Sequence, residues 1–117
     1  MIEKLGIGID ITYISDFEKI SYEKNPGFYQ KIFQPSEINY CLEYKEPSPH
    51  FAGKFALKEA VKKSINETIY ISKIITSHKQ SKPIIKLLNS EKNYVFRASI
   101  SHEKDYAIAI VISELIN

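Results

Sequence analysis

Apolar and non-apolar positions alternate strictly over Leu5-Gly-Ile-Gly-Ile-Asp-Ile-Thr12. Leu5, Ile7, Ile9 and Ile11 fall on one side, and Gly6, Gly8, Asp10 and Thr12 on the other. This period predicts a strand with one apolar face and one bare face. The glycines leave room for another backbone or a ligand to approach closely. Aspartate is depleted in strands, so Asp10 needs a reason. One alternative is an N-cap, because Ile14, Phe17 and Ile20 follow at helical spacing.

Asn25-Pro-Gly27 is a turn signal, followed by a short apolar segment over residues 28–33. Pro35-Ser36-Glu37 opens a second helix through Ile38, Cys41 and Leu42, and residues 46–50 form a linker. His50 in that linker reads as a solvated loop histidine. The longest helix is predicted over residues 51–64, with Pro47 and Pro49 just upstream, where the chain should still be extended. With residues placed about 100° apart, Phe55, Ala52, Ala56 and Ala60 form one apolar arc with Glu59 in its middle and Lys63 a turn further on. Lys54, Lys58 and Lys62 form a row beside it. A carboxylate among alanines, flanked by lysines, fits an anion held through a metal. An exposed Glu59–Lys63 pair on an alanine-rich helix is the plainer alternative.

Beyond this helix, residues 68–75 read as a strand, 78–82 as a turn, and 83–88 as a strand opened by Pro83. Residues 94–102 and 106–113 read as a hairpin closed by Glu103-Lys-Asp105. Ser99, Ser101 and His102 end its first strand, while Ala107 and Ala109 begin the second, leaving space where histidine can offer a hydrogen bond or a charge to a phosphate. The fold class that follows is α+β: a small antiparallel sheet packed against a long central helix, with shorter helices.

Composition narrows this picture without redirecting it. The 117 residues read as one domain over 1–117, of ordinary globular composition at 44% apolar and 26% charged. No apolar run is long enough to span a bilayer, and Met1-Ile-Glu-Lys shows no signal-peptide pattern, so a cytoplasmic protein is expected. A net charge of +2 excludes a global basic field for nucleic acid. Cys41, the lone cysteine, is expected in the core; Arg97 is the single arginine among many lysines.

Three motifs in this order resemble the holo-acyl-carrier-protein synthase family of 4'-phosphopantetheinyl transferases. They are Gly8-Ile-Asp-Ile11, Phe51-Ala-Gly-Lys-Phe-Ala-Leu-Lys-Glu-Ala60, and Ser99-Ile-Ser-His102 followed by Tyr106-Ala-Ile-Ala109. The resemblance spans nearly the whole chain, including the Lys82-Pro83 strand start. It implies that fold and a Mg²⁺-dependent transfer of phosphopantetheine from coenzyme A to a serine of an apo acyl carrier protein, releasing 3',5'-ADP. It further implies a homotrimer with sites between subunits and a place in fatty acid synthesis. Asp10 and Glu59 match the metal ligands, and Lys63 a lysine near the pyrophosphate. Lys58 matches the lysine of the helix motif, and Lys54 stands where many members carry arginine near the phosphates. Pro83, Ser99, Ser101 and His102 would line the coenzyme A pocket. A metal-bound water or Glu59 could take the serine proton.

The chain departs from the family pattern in three places. No glycine follows the central helix, where Ser64-Ile-Asn-Glu-Thr68 stands, and Ser81 replaces the glycine usual before Pro83. Asp16, with Glu18 nearby, occupies the first-helix position that is commonly an arginine docking the acidic carrier. These departures keep two alternatives in view: a coenzyme A-binding member that no longer transfers, and a Mg²⁺-dependent hydrolase of nucleotide pyrophosphates.

Overall fold

The computed structural model describes residues 2–116; Met1, at the head of the stretch read for a leader, lies outside them. The chain runs β1 (Leu5–Tyr13), α1 (Ser15–Lys19), α2 (Pro26–Gln30), α3 (Pro35–Leu42), α4 (Ser48–Ser64), β2 (Ile74–Lys79), β3 (Lys82–Leu87), β4 (Asn93–Glu103) and β5 (Tyr106–Ile116). One antiparallel sheet has the order β1-β5-β4, and β2–β3 form a separate hairpin. The α+β class expected from the sequence is what the chain adopts.

The two faces of β1 differ in cover, and the glycine face admits another backbone, as its bareness allows. Its isoleucine face is open, with Ile7 66% and Ile9 59% exposed. Its glycine face is covered by α4. A Cβ on Gly6 would lie 1.7 Å from the carbonyl oxygen of Ser64, and one on Gly8 1.9 Å from that of Ala60. The glycines therefore let a helix backbone rest directly on a strand backbone, which no side chain there would allow. At its other end α4 meets β4, where a Cβ on Gly53 would lie 3.0 Å from His102 Nε2. The helix thus crosses the sheet diagonally, from β1 at its C-terminus to β4 near its start. Ser113 Oγ donates to Ser64 O at 2.8 Å and satisfies a carbonyl at the helix end.

Two apolar clusters close the core. Phe17, Tyr29, Phe33 and Phe51 pack around the start of α4, with the Tyr29 and Phe51 rings 4.6 Å apart. Ala56, Leu57, Ala60 and Val61 pack against Ile74, Ala109 and Val111. Cys41 is fully buried, as expected, and burial raises its thiol to about 12.

Several boundaries differ from the sequence reading. Pro47 has helical dihedrals and Pro49 lies in the first helical turn, so α4 begins at Ser48 rather than after an extended stretch. Proline is tolerated there because the first N–H groups have no intrahelical partner. The short apolar segment over residues 28–33 begins inside a helix, because α2 takes in Phe28 through Gln30. A 3₁₀ turn covers Ile71–Lys73, and β2 starts only at Ile74, placing His78 within the strand. The turn is then Gln80-Ser81, with φ of 52° and 67°. Both residues adopt a left-handed conformation that glycine would take freely, at a cost of roughly 1 kcal/mol each.

Candidate active site

Asp10 points from the glycine face of β1 into the angle between that strand and α4. Its Oδ2 accepts a hydrogen bond from Thr12 Oγ1 at 2.8 Å, and its Oδ1 lies 3.2 Å from Lys63 Nζ. Lys63 also donates to the carbonyl of Ile9 at 3.0 Å. The Asp10 side chain is only 15% exposed, that of Lys63 54%. Thr12, on the same strand face two residues on, orients the carboxylate, a role that period two makes legible once Asp10 is singled out. Glu59 lies one turn before Lys63 on α4, half-buried, with no ion-pair or hydrogen-bond partner among the described residues. The structure therefore joins Asp10 to Lys63 and leaves Glu59 next along the same helix with an unpaired carboxylate.

Lys54 and Lys58 do not extend this charge. Both are buried and both reach inward. Lys58 Nζ lies 2.6 Å from Glu37 Oε1 and donates to Ile32 O at 2.8 Å. Lys54 Nζ donates to Thr76 Oγ1 at 2.9 Å and sits 4.7 Å above the Tyr40 ring. The other Glu37 oxygen accepts from Thr76 N at 2.9 Å and Thr76 Oγ1 at 2.6 Å. Burial pulls both lysines below their usual range, opposed in each case by the attraction of Glu37. Of the lysine row expected beside the apolar arc, Lys62 is exposed. Helical spacing places these lysines on the helix, but only packing of α3 and β2 against it shows which are enclosed.

The remaining expected residues collect elsewhere. A cleft of about 860 Å³ lies between the β2–β3 hairpin and the edge strand β4, lined by Pro83, Ser99 and His102, together with His50, His78 and Arg97. Ser101 lies on the same outward face of β4 as Ser99, beyond the cleft lining. All three histidines of the chain meet here. His102 Nε2 donates to Pro49 O at 3.0 Å, tying the end of β4 to the start of α4. His50 stacks on Tyr44 at 3.5 Å and His78 on Tyr40 at 5.1 Å, so His50 is a packed helix residue rather than a solvated loop one. Burial lowers both imidazoles, helped for His78 by Lys54 and for His50 by His102 and Lys54. Neither is legible as part of the site from local signals, which start β2 at residue 68 rather than Ile74 and α4 at residue 51 rather than Ser48.

These depressed values carry a sign. A histidine whose folded pKa lies below its ordinary 6.5 contributes stability that is complete above that pH and is lost as pH falls toward the folded value. The thermal midpoint is therefore expected to fall between pH 7 and pH 5, and to fall less in His78→Gln. Scanning fluorimetry across that range checks this, and equal slopes in the two proteins would contradict it.

Asp10 and the cleft lie on opposite flanks of α4. In register, Asp10 pairs with Ala109 and Ala109 with Ile100, so Asp10 is two strand spacings, roughly 10 Å, from β4. The diagonal helix passes between them. Of the acidic positions on α1, Asp16 and Glu18 are both exposed.

Residues 6–111 match the 4'-phosphopantetheinyl transferase superfamily. The chain is 35% identical over 110 residues to the holo-acyl-carrier-protein synthase of Thermodesulfovibrio yellowstonii, covering 92% of this chain and 96% of that one. This chain belongs to the holo-acyl-carrier-protein synthase family. The Helicobacter pylori member, solved in complex with coenzyme A, superposes with a TM-score of 0.77 at 33% identity, over 92% of this chain and 99% of its own. The Bacillus anthracis member, solved with CoA (3',5'-ADP), does so with a TM-score of 0.76 at 31% identity, over 93% and 95%. As a member of this family the protein is an enzyme of the phosphopantetheinyl transferase class. No helix among the described residues is long and apolar enough to cross a membrane.

Proposed function

We propose that this protein transfers the 4'-phosphopantetheine arm of coenzyme A to a serine hydroxyl of an apo acyl carrier protein. The serine oxygen gives up its proton, to Glu59 or to water, as it forms a bond to the phosphorus carrying the pantetheine arm. The bond from that phosphorus to the bridging oxygen breaks, and 3',5'-ADP leaves with the electron pair. The observation that carries this reading is Asp10, an oriented, mostly enclosed carboxylate between Thr12 and Lys63, with unpaired Glu59 a helix turn away.

The donor set fits Mg²⁺, a hard cation that binds through one or two carboxylates and completes its shell with phosphates and water. Asp10 and Glu59 would hold the ion, which when bound neutralises phosphate charge. Thr12 fixes the orientation of Asp10, and Lys63 adds a positive charge for the departing phosphate. The cleft holding Pro83, Ser99 and His102 would receive the nucleotide.

The working unit in this reading is a cytoplasmic homotrimer with sites between subunits. Two features support an assembly. Asp10 and the cleft lie on opposite flanks of α4, so they do not face each other within one chain. The open face of β1 and β5, with Ile7, Ile9, Ile110 and Ile112 all exposed, is an apolar patch of the kind a second copy covers.

Intact mass spectrometry of an apo carrier protein incubated with the enzyme, coenzyme A and Mg²⁺ tests the reaction. A gain of one phosphopantetheine unit that disappears with a chelator is expected. No gain across several carriers, with coenzyme A still bound, would replace the transfer reading with a binding one.

A further inference from the structure

Lys63 stands one helical turn after Glu59 on α4, the spacing and order at which a glutamate and a lysine ordinarily pair along a helix. It does not make that pair. Its Nζ turns across to β1 instead, donating to Ile9 O at 3.0 Å and lying 3.2 Å from Asp10 Oδ1. Thr12 Oγ1 already donates to Oδ2, so the carboxylate oxygen that Thr12 leaves free is the one Lys63 holds. Thr12 is buried and fixed, whereas the Lys63 side chain is more than half exposed. Glu59 meanwhile keeps no ion-pair or hydrogen-bond partner among the described residues.

One ammonium between two carboxylates leaves the site negative, which draws a cation in. A divalent ion bound directly to Asp10 and an ammonium on the same oxygen repel each other strongly at contact distance. The lysine is the partner that can yield, because an ion pair of this length with a solvent-facing lysine is weak. Leaving Asp10 does not strand the charge. Lys63 lies in the last turn of α4, where the unpaired carbonyls of a helix end favour a cation. We propose that Lys63 is a resident counterion that occupies Asp10 Oδ1 in place of the metal, and that metal binding displaces it and frees its ammonium on the solvent side. The free enzyme then holds its metal more weakly than the two carboxylates alone would allow. This inference rests on the transfer reading for the identity of the ion, but its test reads the lysine and the metal directly.

Two measurements on the free protein, with no coenzyme A or carrier present, test the displacement. In the first, lysines are trace-labelled with acetic anhydride and read by peptide mass spectrometry, with Lys24, exposed just before α2, as the reference. Adding Mg²⁺ is expected to raise the labelling rate of Lys63 roughly three- to fivefold relative to Lys24, as for release from a solvent-screened ion pair. In the second, Mn²⁺ binding is followed by the paramagnetic resonance of the free ion, and Mg²⁺ binding by calorimetry. Lys63→Met, which keeps the length of the side chain without its charge, is expected to bind either ion roughly three- to tenfold more tightly than the unaltered protein. Lys63→Arg, which keeps the charge, should retain the weaker affinity. Equal affinities in all three proteins would overturn the inference. So would tighter binding in Lys63→Met with unchanged Lys63 labelling, which would mean a lysine that repels the ion from a distance without being displaced. Should Lys63 respond to Mg²⁺ in a protein that transfers nothing, the counterion role stands while the reaction assignment falls.

Discussion

Asp10→Asn is expected to lower phosphopantetheine transfer by about a thousandfold or more, while the thermal midpoint barely moves. Asparagine keeps the shape of the side chain and an oxygen for the Thr12 hydroxyl, but removes the negative charge. A cation bound through two carboxylates then loses half of its protein charge, and Lys63 loses its partner. A thousandfold corresponds to about 4 kcal/mol of transition-state stabilisation, within the several kcal/mol a metal and its ligands supply. Stability should be spared because Lys63 is more than half exposed, and solvent-screened ion pairs contribute about 0–1 kcal/mol. Initial rates of 3',5'-ADP release, paired with scanning fluorimetry, measure both quantities. A variant within tenfold of the parent rate would remove Asp10 from the metal role.

The second large effect is one of stability. Glu37→Ala is expected to cost about 3–5 kcal/mol, because it leaves the Lys58 ammonium buried with no countercharge. For a chain of this size that lowers the midpoint by roughly 10–20 °C. Glu37 also accepts both Thr76 hydrogen bonds, so its loss frees β2 from α3 and loosens the hairpin that carries Pro83. The paired replacement Glu37→Leu with Lys58→Met removes both charges and should recover much of the loss. Urea unfolding of the single and double variants measures the coupling. A cost under 1 kcal/mol in Glu37→Ala would show that Lys58 finds adequate partners in Ile32 O and Ile71 O alone.

These two residues also mark what a linear reading can reach. Asp10 was legible because period two put an aspartate on a face otherwise made of glycine and threonine, where it had no business as packing. The first motif, the central helix with Glu59 and Lys63, and the closing hairpin all follow from local spacing, and together they point to the transferase family. The lone cysteine could be placed in the core on composition alone. Local rules failed where local signals conflict. Two prolines beside Ser48 read as a barrier to helix but serve as its first turn, and a β-branched run from residue 68 contains a 3₁₀ turn before the strand begins.

Glu37 had no such signal. It looked like an ordinary first-turn acid of a short helix, and its partners lie 21 and 39 residues away along the chain. The same holds for Lys54 and Lys58, whose spacing put them on a helix but could not say that α3 and β2 would close over them. It holds for the three histidines, which converge from α4, β2 and β4. The sequence by itself determined most of the elements, the places of Asp10 on a strand and Glu59 on a helix, and the family, because each depends on residues close together or on one repeating period. Only the tertiary structure decided which face of β1 the helix covers, which lysines are enclosed, and that Asp10 and the cleft stand on opposite flanks of α4. Those outcomes depend on how close Gly6 and Gly8 let two backbones come, and on the diagonal crossing that results.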